Sequence, residues 1–109
     1  MLLEVFERFS LLELLEKDED HYATLKTLRR AREMITFTPD EVKTLGLRQN
    51  AQGALEWDTR KATGMARDLP VDEWTTNYIR SVLVNLEQLG KLKERYVSLY
   101  EKFITDYRT

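Results

Sequence analysis

Apolar residues recur at helical spacing at the start of the chain. They are Leu2, Val5, Phe6, Phe9, Leu11, Leu12, Leu14 and Leu15. Steps of three and four residues predict an amphipathic helix over about Leu2 to Leu15. Ser10 and Glu13 also match a capping-box pattern, so a helix that starts again at Ser10 is an open alternative.

Two more helices are predicted before the middle of the chain. The first covers about His21 to Ile35, and its apolar positions are Leu25, Leu28, Ala31 and Ile35. The second is short, from Pro39 to Leu45, and its boundaries are well marked. Thr38 is a capping residue, proline suits the first helical position, and Gly46 tolerates the left-handed conformation that ends many helices.

After Gly46 the pattern changes from helical spacing to alternation. Leu55 and Trp57 fall on one side of an extended segment and Glu56 on the other, and the connection before them contains Asn50 and Gly53. This pattern predicts a β-hairpin over residues 47–58. Residues 59–69 are polar and have no sustained period, so both a loop and a third short strand remain open.

The C-terminal part predicts two helices that pack on each other. The longer one starts at Pro70 and ends at Gly90. Its apolar stripe consists of Val71, Trp74, Tyr78, Val82, Leu86 and Leu89, flanked by Ile79 and Leu83. We therefore expect Trp74 in the core. The last helix, from about Glu94 to Tyr107, follows a short link and should fold back on its predecessor.

Together these elements predict one mainly helical (α+β) domain over residues 1–109, with about five helices and a small hairpin or short antiparallel sheet in mid-chain. An apolar fraction of 42% is enough for a core. The net charge is −2, from 17 basic and 19 acidic residues. It gives no overall attraction to nucleic acid or anionic lipid. Charges interrupt the N-terminal apolar residues, so we expect no membrane span or targeting segment.

Candidate chemistry is scarce. The chain has no cysteine and a single histidine, His21, so thiolate sites, disulfides and paired histidine ligands are excluded within the chain. No glycine-rich phosphate loop, nucleophile elbow or zinc-protease motif is present. The acidic run from Asp18 to Asp20 lacks the glycine and final glutamate of a calcium loop. We therefore expect a protein that is not an enzyme and uses no cofactor or metal.

The most distinct polar feature is the basic group Lys26, Arg29, Arg30 and Arg32, of which the first three are the candidate contacts. It precedes the capped helix and the hairpin, an order typical of winged-helix DNA-binding proteins. Asp40 in the helix that would read DNA opposes this function, because phosphate repels it. A solvated helix face with weak ion pairs is the simpler interpretation. The three cations are thus candidate contacts for a partner or nucleic acid, with DNA binding the less favoured alternative.

The N-terminal helix offers a second candidate surface. Leu2, Phe6 and Phe9 either belong to the core or form an apolar interface for a protein partner or a second copy of the chain. Membrane-surface binding is not favoured, because the polar face of this helix is mainly acidic.

Four segments resemble small uncharacterised proteins of tailed bacteriophages and prophages. They are Glu7 to Leu15, Leu25 to Arg29, Phe37 to Glu41 and Leu99 to Phe103. The resemblance covers nearly the whole chain and rests on structural motifs, so it carries over no catalytic or binding residue. It implies a phage protein of the bacterial host cytoplasm or the virion. We therefore expect a non-enzymatic protein-interaction module, either a virion or assembly component or a modulator of a host protein.

Overall fold

The computed structural model describes residues 1–105, and it confirms a mainly helical fold with a small hairpin in mid-chain. The elements, in chain order, are β1 (Leu2–Leu3), α1 (Val5–Leu14), α2 (Tyr22–Ile35), α3 (Pro39–Leu45), β2 (Arg48–Gln49), β3 (Leu55–Glu56), α4 (Thr59–Ala62), β4 (Arg67–Asp68), α5 (Glu73–Gln88), a 3₁₀ turn (Glu94–Tyr96), α6 (Val97–Tyr100) and a π-helical turn (Glu101–Thr105). The buried core draws on α1, α2, α5 and the C-terminal turns. Its residues are Leu3, Leu11, Leu15, Leu28, Ala31, Ile35, Leu69, Ile79, Leu83, Tyr96, Leu99, Phe103 and Ile104.

The boundaries of α3 confirm the predicted caps. The Thr38 hydroxyl accepts a hydrogen bond from the amide of Glu41 at 3.2 Å, and the Glu41 carboxylate accepts one from the amide of Thr38 at 2.9 Å. These reciprocal bonds satisfy two amides that the first helical turn leaves unpaired. Gly46 ends the helix with a φ of 65°, in the left-handed region where a side chain would be strained.

The first helix begins three residues later than predicted. Leu2 and Leu3 instead form β1, which pairs with β4 in antiparallel register. The Met1 ammonium donates to the carboxylate of Asp68 at 2.6 Å and to the carbonyl of Leu69 at 2.9 Å. The alternative of a helix starting at Ser10 is wrong, since Ser10 lies inside α1 and its hydroxyl donates to the carbonyl of Phe6.

The mid-chain hairpin is confirmed. The structure also shows which elements residues 59–69 form, for which a loop and a third short strand were both open. In the hairpin, Arg48 lies opposite Glu56 and Gln49 opposite Leu55. The Asn50 side-chain oxygen accepts the amides of Gln52 and Ala54 and so stabilises the turn. The following stretch contains helix α4 and strand β4. That strand pairs with the N-terminus, so it does not extend the hairpin.

The longest helix starts later and faces differently from the prediction. Asp72 caps α5, and its carboxylate accepts a hydrogen bond from the amide of Thr75 at 2.8 Å. The helix therefore starts at Glu73 and not at Pro70. The buried face consists of Thr75, Ile79 and Leu83. The expectation of a buried Trp74 is wrong, because its indole lies at the surface and stacks on Tyr78 with ring centroids 5.4 Å apart.

The C-terminal segment packs against the core as predicted, although it is not one regular helix. Gly90, with a φ of 66°, follows the last turn of α5. The 3₁₀, α and π turns from Glu94 to Thr105 then place Tyr96, Leu99 and Phe103 in the core. The predicted position of Tyr107 lies outside the described residues.

Candidate functional site

Helix α1 has an unusual distribution of side chains in its first turn. Glu7 and Arg8 are buried, whereas Phe6 is 48% exposed. The carboxylate of Glu7 reaches back to the amide of Glu4 at 2.9 Å, which starts the helix at Val5. The fold therefore buries two charged residues and leaves their aromatic neighbour at the surface.

Arg8 holds together three parts of the chain. Its guanidinium donates to the carbonyls of Ile35 at 3.0 Å and Thr36 at 2.8 Å, where α2 ends. It also donates to both oxygens of the Glu41 carboxylate, at 2.6 and 3.2 Å. The same group lies 4.0 Å from the ring centroid of Phe37. A buried charge with this many partners is compensated, and it fixes α1 against the α2–α3 connection.

The carboxylate of Glu41 has a strongly shifted pKa. Its hydrogen bonds with Arg8 lower the pKa from the ordinary 4.5 to about 2, and the Thr38 amide and the Arg67 charge add to the effect. Arg67 lies 3.3 Å from the carboxylate. The Glu41 side chain therefore faces the body of the protein, whereas Pro39 and Asp40 at the start of α3 are exposed.

Lys102 pairs with the second buried charge of α1. Its ammonium donates to the carboxylate of Glu7 at 2.6 Å and to the carbonyl of Leu2 at 2.9 Å. This contact ties the π-helical turn to β1 and α1. The other carboxylate oxygen of Glu7 is buried and has no hydrogen-bond partner within residues 1–105.

The predicted apolar interface is divided by the structure. Leu2 is 58% exposed and Phe6 lies beside a groove of about 270 Å³, whose apolar lining includes Val5, Phe6, Trp57 and Ala62. Phe9 instead lies half-buried between the rings of Phe37 and Trp57, with centroid distances of 4.6 and 4.5 Å. It supports the Trp57 wall of the groove and is more buried than Leu2 and Phe6. We call Leu2, Phe6 and this groove the N-terminal apolar surface.

The predicted basic group lies on the outward face of α2. Lys26, Arg29 and Arg30 are all exposed, whereas Arg32 is partly buried and donates to the carbonyl of Leu15 at 2.7 Å. Together with Tyr22, Leu25 and the carboxylate-bearing Glu33, the three exposed cations line a cleft of about 340 Å³. This surface and the N-terminal apolar surface do not share any lining residue.

Several residues of these sites were not singled out from the sequence. A lone arginine in an apolar stripe gives no sign of burial, because the carbonyls and carboxylate that satisfy Arg8 come from residues 27 to 33 positions later. Trp57 follows β3, which ends at Glu56, and the alternating sequence pattern does not show that Phe9 stacks on its ring. The sequence pattern did not indicate a surface role for Tyr22, since this residue occupies the first position of α2.

The described residues include no group of three or more histidine, cysteine, aspartate or glutamate side chains able to hold a metal ion. No helix within residues 1–105 combines the length and apolar character needed to cross a membrane. In comparisons with known proteins, the chain matches no family model, no curated protein and no solved structure.

Proposed function

We propose that this chain is a non-enzymatic protein-interaction module that binds its partner through the N-terminal apolar surface. The observation that carries this proposal is the exposure of Phe6 directly beside a groove, in a helix turn where two charged residues are buried instead. Burying one such aromatic side chain contributes about 1.5–3 kcal/mol to an association. About half of the Phe6 side chain is still exposed in the fold, so that part of the contribution is available for a partner.

The lining of the groove defines the chemistry of the partner segment. Val5, Trp57 and Ala62 provide apolar walls, Thr59 and Thr63 provide hydroxyls, and Glu4 is the charged residue among the described lining. A bulky apolar side chain of the partner fits between these walls, and a neighbouring lysine or arginine would complement Glu4. The proposed occupant is therefore an apolar anchor residue flanked by a basic one.

The resemblance to tailed-phage proteins supplies the biological setting of the proposal. In that setting the chain is a virion or assembly component, or a modulator of a host protein, in the bacterial host cytoplasm or the virion. The DNA-binding alternative receives less support. Asp40 is exposed at the start of α3, Glu41 is held by Arg8, and a duplex would be repelled by this end of the helix.

A differential capture experiment tests the proposed function. The chain is immobilised and exposed to host lysate and to disrupted virions, in parallel with Leu2→Ser/Phe6→Ser. The matched control is Val97→Ser/Leu89→Ser, because Leu89 is 59% exposed and Val97 is 41% exposed, and neither lines the groove.

We expect one protein to be retained by the wild type and the control but lost by Leu2→Ser/Phe6→Ser. Circular dichroism of all three chains checks that each is folded. Capture of the same protein by all three, or no protein captured by the wild type, would contradict the proposal.

A further inference from the structure

The outward face of α2 has the features of a second contact surface. Tyr22 is 78% exposed, and Lys26, Arg29 and Arg30 follow it at helical spacing. Residues four and seven to eight positions apart lie on one side of a helix, so these side chains form a common face. The half-buried Leu25 adds an apolar lining to the cleft between them.

The three cations on this face lack internal counter-charges. Within residues 1–105 no ion pair includes Lys26, Arg29 or Arg30, although Glu33 lies four residues after Arg29. Other exposed cations of the described chain, such as Arg60 and Lys61, also lack an ion pair, whereas several cations that link elements of the fold have one. Arg8 and Lys102, for example, have carboxylate partners. The positive charge of the α2 face is therefore directed at solvent.

The positive region is short and has negative charge at both ends. Before it lie exposed carboxylates at Glu16, Asp18 and Glu19, and after it lies Glu33. From Tyr22 to Arg30 the helix rises only about 12 Å. A nucleic-acid duplex carries one negative charge per about 1.7 Å and would extend past both ends of the region into these carboxylates. A short acidic segment of a protein can face Lys26, Arg29 and Arg30 without reaching Glu16, Asp18 and Glu19. Glu33 is the one carboxylate among the described lining of the cleft, against three cations.

We propose that the α2 face binds a short acidic segment of a partner protein, whose carboxylates face Lys26, Arg29 and Arg30 and whose apolar side chain packs in the cleft beside Tyr22 and Leu25. Aromatic and arginine side chains at a contact surface are those that contribute most to binding between proteins. This inference rests on the proposed function only in that the chain acts by binding proteins. It concerns a different surface, and its proposed partner segment is acidic. The segment proposed for the N-terminal apolar surface carries a basic residue instead.

The test uses a synthetic peptide of about six residues that alternates pairs of glutamate and leucine, about 9 Å long as a helix and about 20 Å when extended, labelled for fluorescence anisotropy at about 50 mM salt. A second peptide with glutamine in place of glutamate is the probe control. Arg29→Glu/Arg30→Glu reverses charge on the α2 face. Arg60→Glu/Lys61→Glu reverses two exposed cations of α4 and is the matched control, because it changes the net charge equally.

We expect the wild type to bind the glutamate peptide and not the glutamine peptide. The Kd should rise about tenfold or more in Arg29→Glu/Arg30→Glu and stay within about twofold in the α4 control. Leu2→Ser/Phe6→Ser should bind the peptide as the wild type does, so a failure of the proposed function at the N-terminal apolar surface is visible separately.

Four results would overturn the inference. One is the absence of binding to the glutamate peptide, and another is an equal loss in both charge-reversed variants. A third is tighter binding to a DNA duplex of about 20 base pairs at the same salt. The fourth is a dimer seen by light scattering that Arg29→Glu/Arg30→Glu dissociates, because the occupant would then be the acidic run of a second copy.

Discussion

Phe6 and Arg8 lie two residues apart on α1 and have opposite environments. The arginine is fully buried and the phenylalanine is nearly half exposed. Around Arg8 the chain provides the carbonyls of Ile35 and Thr36 and the carboxylate of Glu41. Around Phe6 it provides only one side of a groove. Residue type alone thus does not decide burial; the number of partners that the fold brings to a position does.

The difference separates a structural site from a contact surface. Each polar atom of the Arg8 guanidinium that bonds a carbonyl or carboxylate would be costly to leave unpaired, so the fold depends on this residue. Phe6 contributes only the buried half of its ring to the fold, and the rest can be covered by a partner without disturbing the core. The predictions that follow test this separation.

Removing Arg8 should have the largest effect on stability. Arg8→Ala leaves the half-buried carboxylate of Glu41 and two carbonyls without their partner, and we expect the free energy of unfolding to fall by about 3–5 kcal/mol. Urea denaturation of Arg8→Ala and of the exposed control Arg30→Ala measures this. The control should stay within about 0.5 kcal/mol of the wild type. Equal, small losses in both variants would show that the Arg8 contacts do not stabilise the fold.

The next largest effect on stability is expected in α5, where the buried and exposed sides of the helix should differ. Ile79→Ala creates a cavity in the core and should cost about 2–4 kcal/mol, whereas Trp74→Ala removes a surface stack on Tyr78 and should cost about 1 kcal/mol. The midpoints of urea denaturation compare the two variants, provided that the dependence of the unfolding free energy on urea concentration is the same in both. A larger loss for Trp74→Ala than for Ile79→Ala would mean that the helix faces the other way.

Acid should weaken the Arg8 site through Glu41. Its folded-state pKa is lowered to about 2, so the carboxylate contributes stability that is fully present above about pH 4.5 and is lost as the pH falls toward 2. The contribution is about 1–3 kcal/mol after allowance for partial exposure. Subtracting the unfolding free energy of Glu41→Gln from that of the wild type at each pH isolates this effect. A difference that does not narrow between pH 4.5 and 2 would contradict it.

Phe6, the exposed residue of the pair, should have the smallest effect on the free energy of unfolding. Phe6→Ser removes a ring that the core barely uses, and we expect a loss of at most about 1 kcal/mol. The same urea denaturation applies, with Phe9→Ser as the contrasting variant. Phe9 stacks between Phe37 and Trp57, so its loss should be larger. Equal losses at the two positions would show that Phe6 is also part of the packed structure.

Local signals in the sequence predicted the elements well. The caps at Thr38 and Gly46 and the mid-chain hairpin follow from short-range rules that the structure obeys. Long-range partners explain what was missed. The extended start at Leu2 depends on pairing with Asp68, and the burial of Arg8 depends on Glu41. Neither partner is within one helical turn, so spacing alone cannot reveal them.

The same limit explains the two candidate surfaces. Exposure of Lys26, Arg29 and Arg30 was predicted, because cations opposite an apolar stripe face solvent. The sequence does not show whether Leu2 and Phe6 are exposed or buried, since apolar residues at helical spacing fit both outcomes. Phe6 faces outward from the helix turn in which Glu7 and Arg8 are buried, and Leu2 faces outward from β1.

Photo-cross-linking from position 6 tests the contact role of Phe6 most directly. The chain carries a benzophenone amino acid in place of Phe6, or in place of Leu89 as the control, and is irradiated with host lysate and with disrupted virions. We predict one discrete protein adduct from position 6 that is absent from position 89. Adducts of equal yield and identity from both positions, or none from position 6, would contradict a protein-binding role for the N-terminal apolar surface.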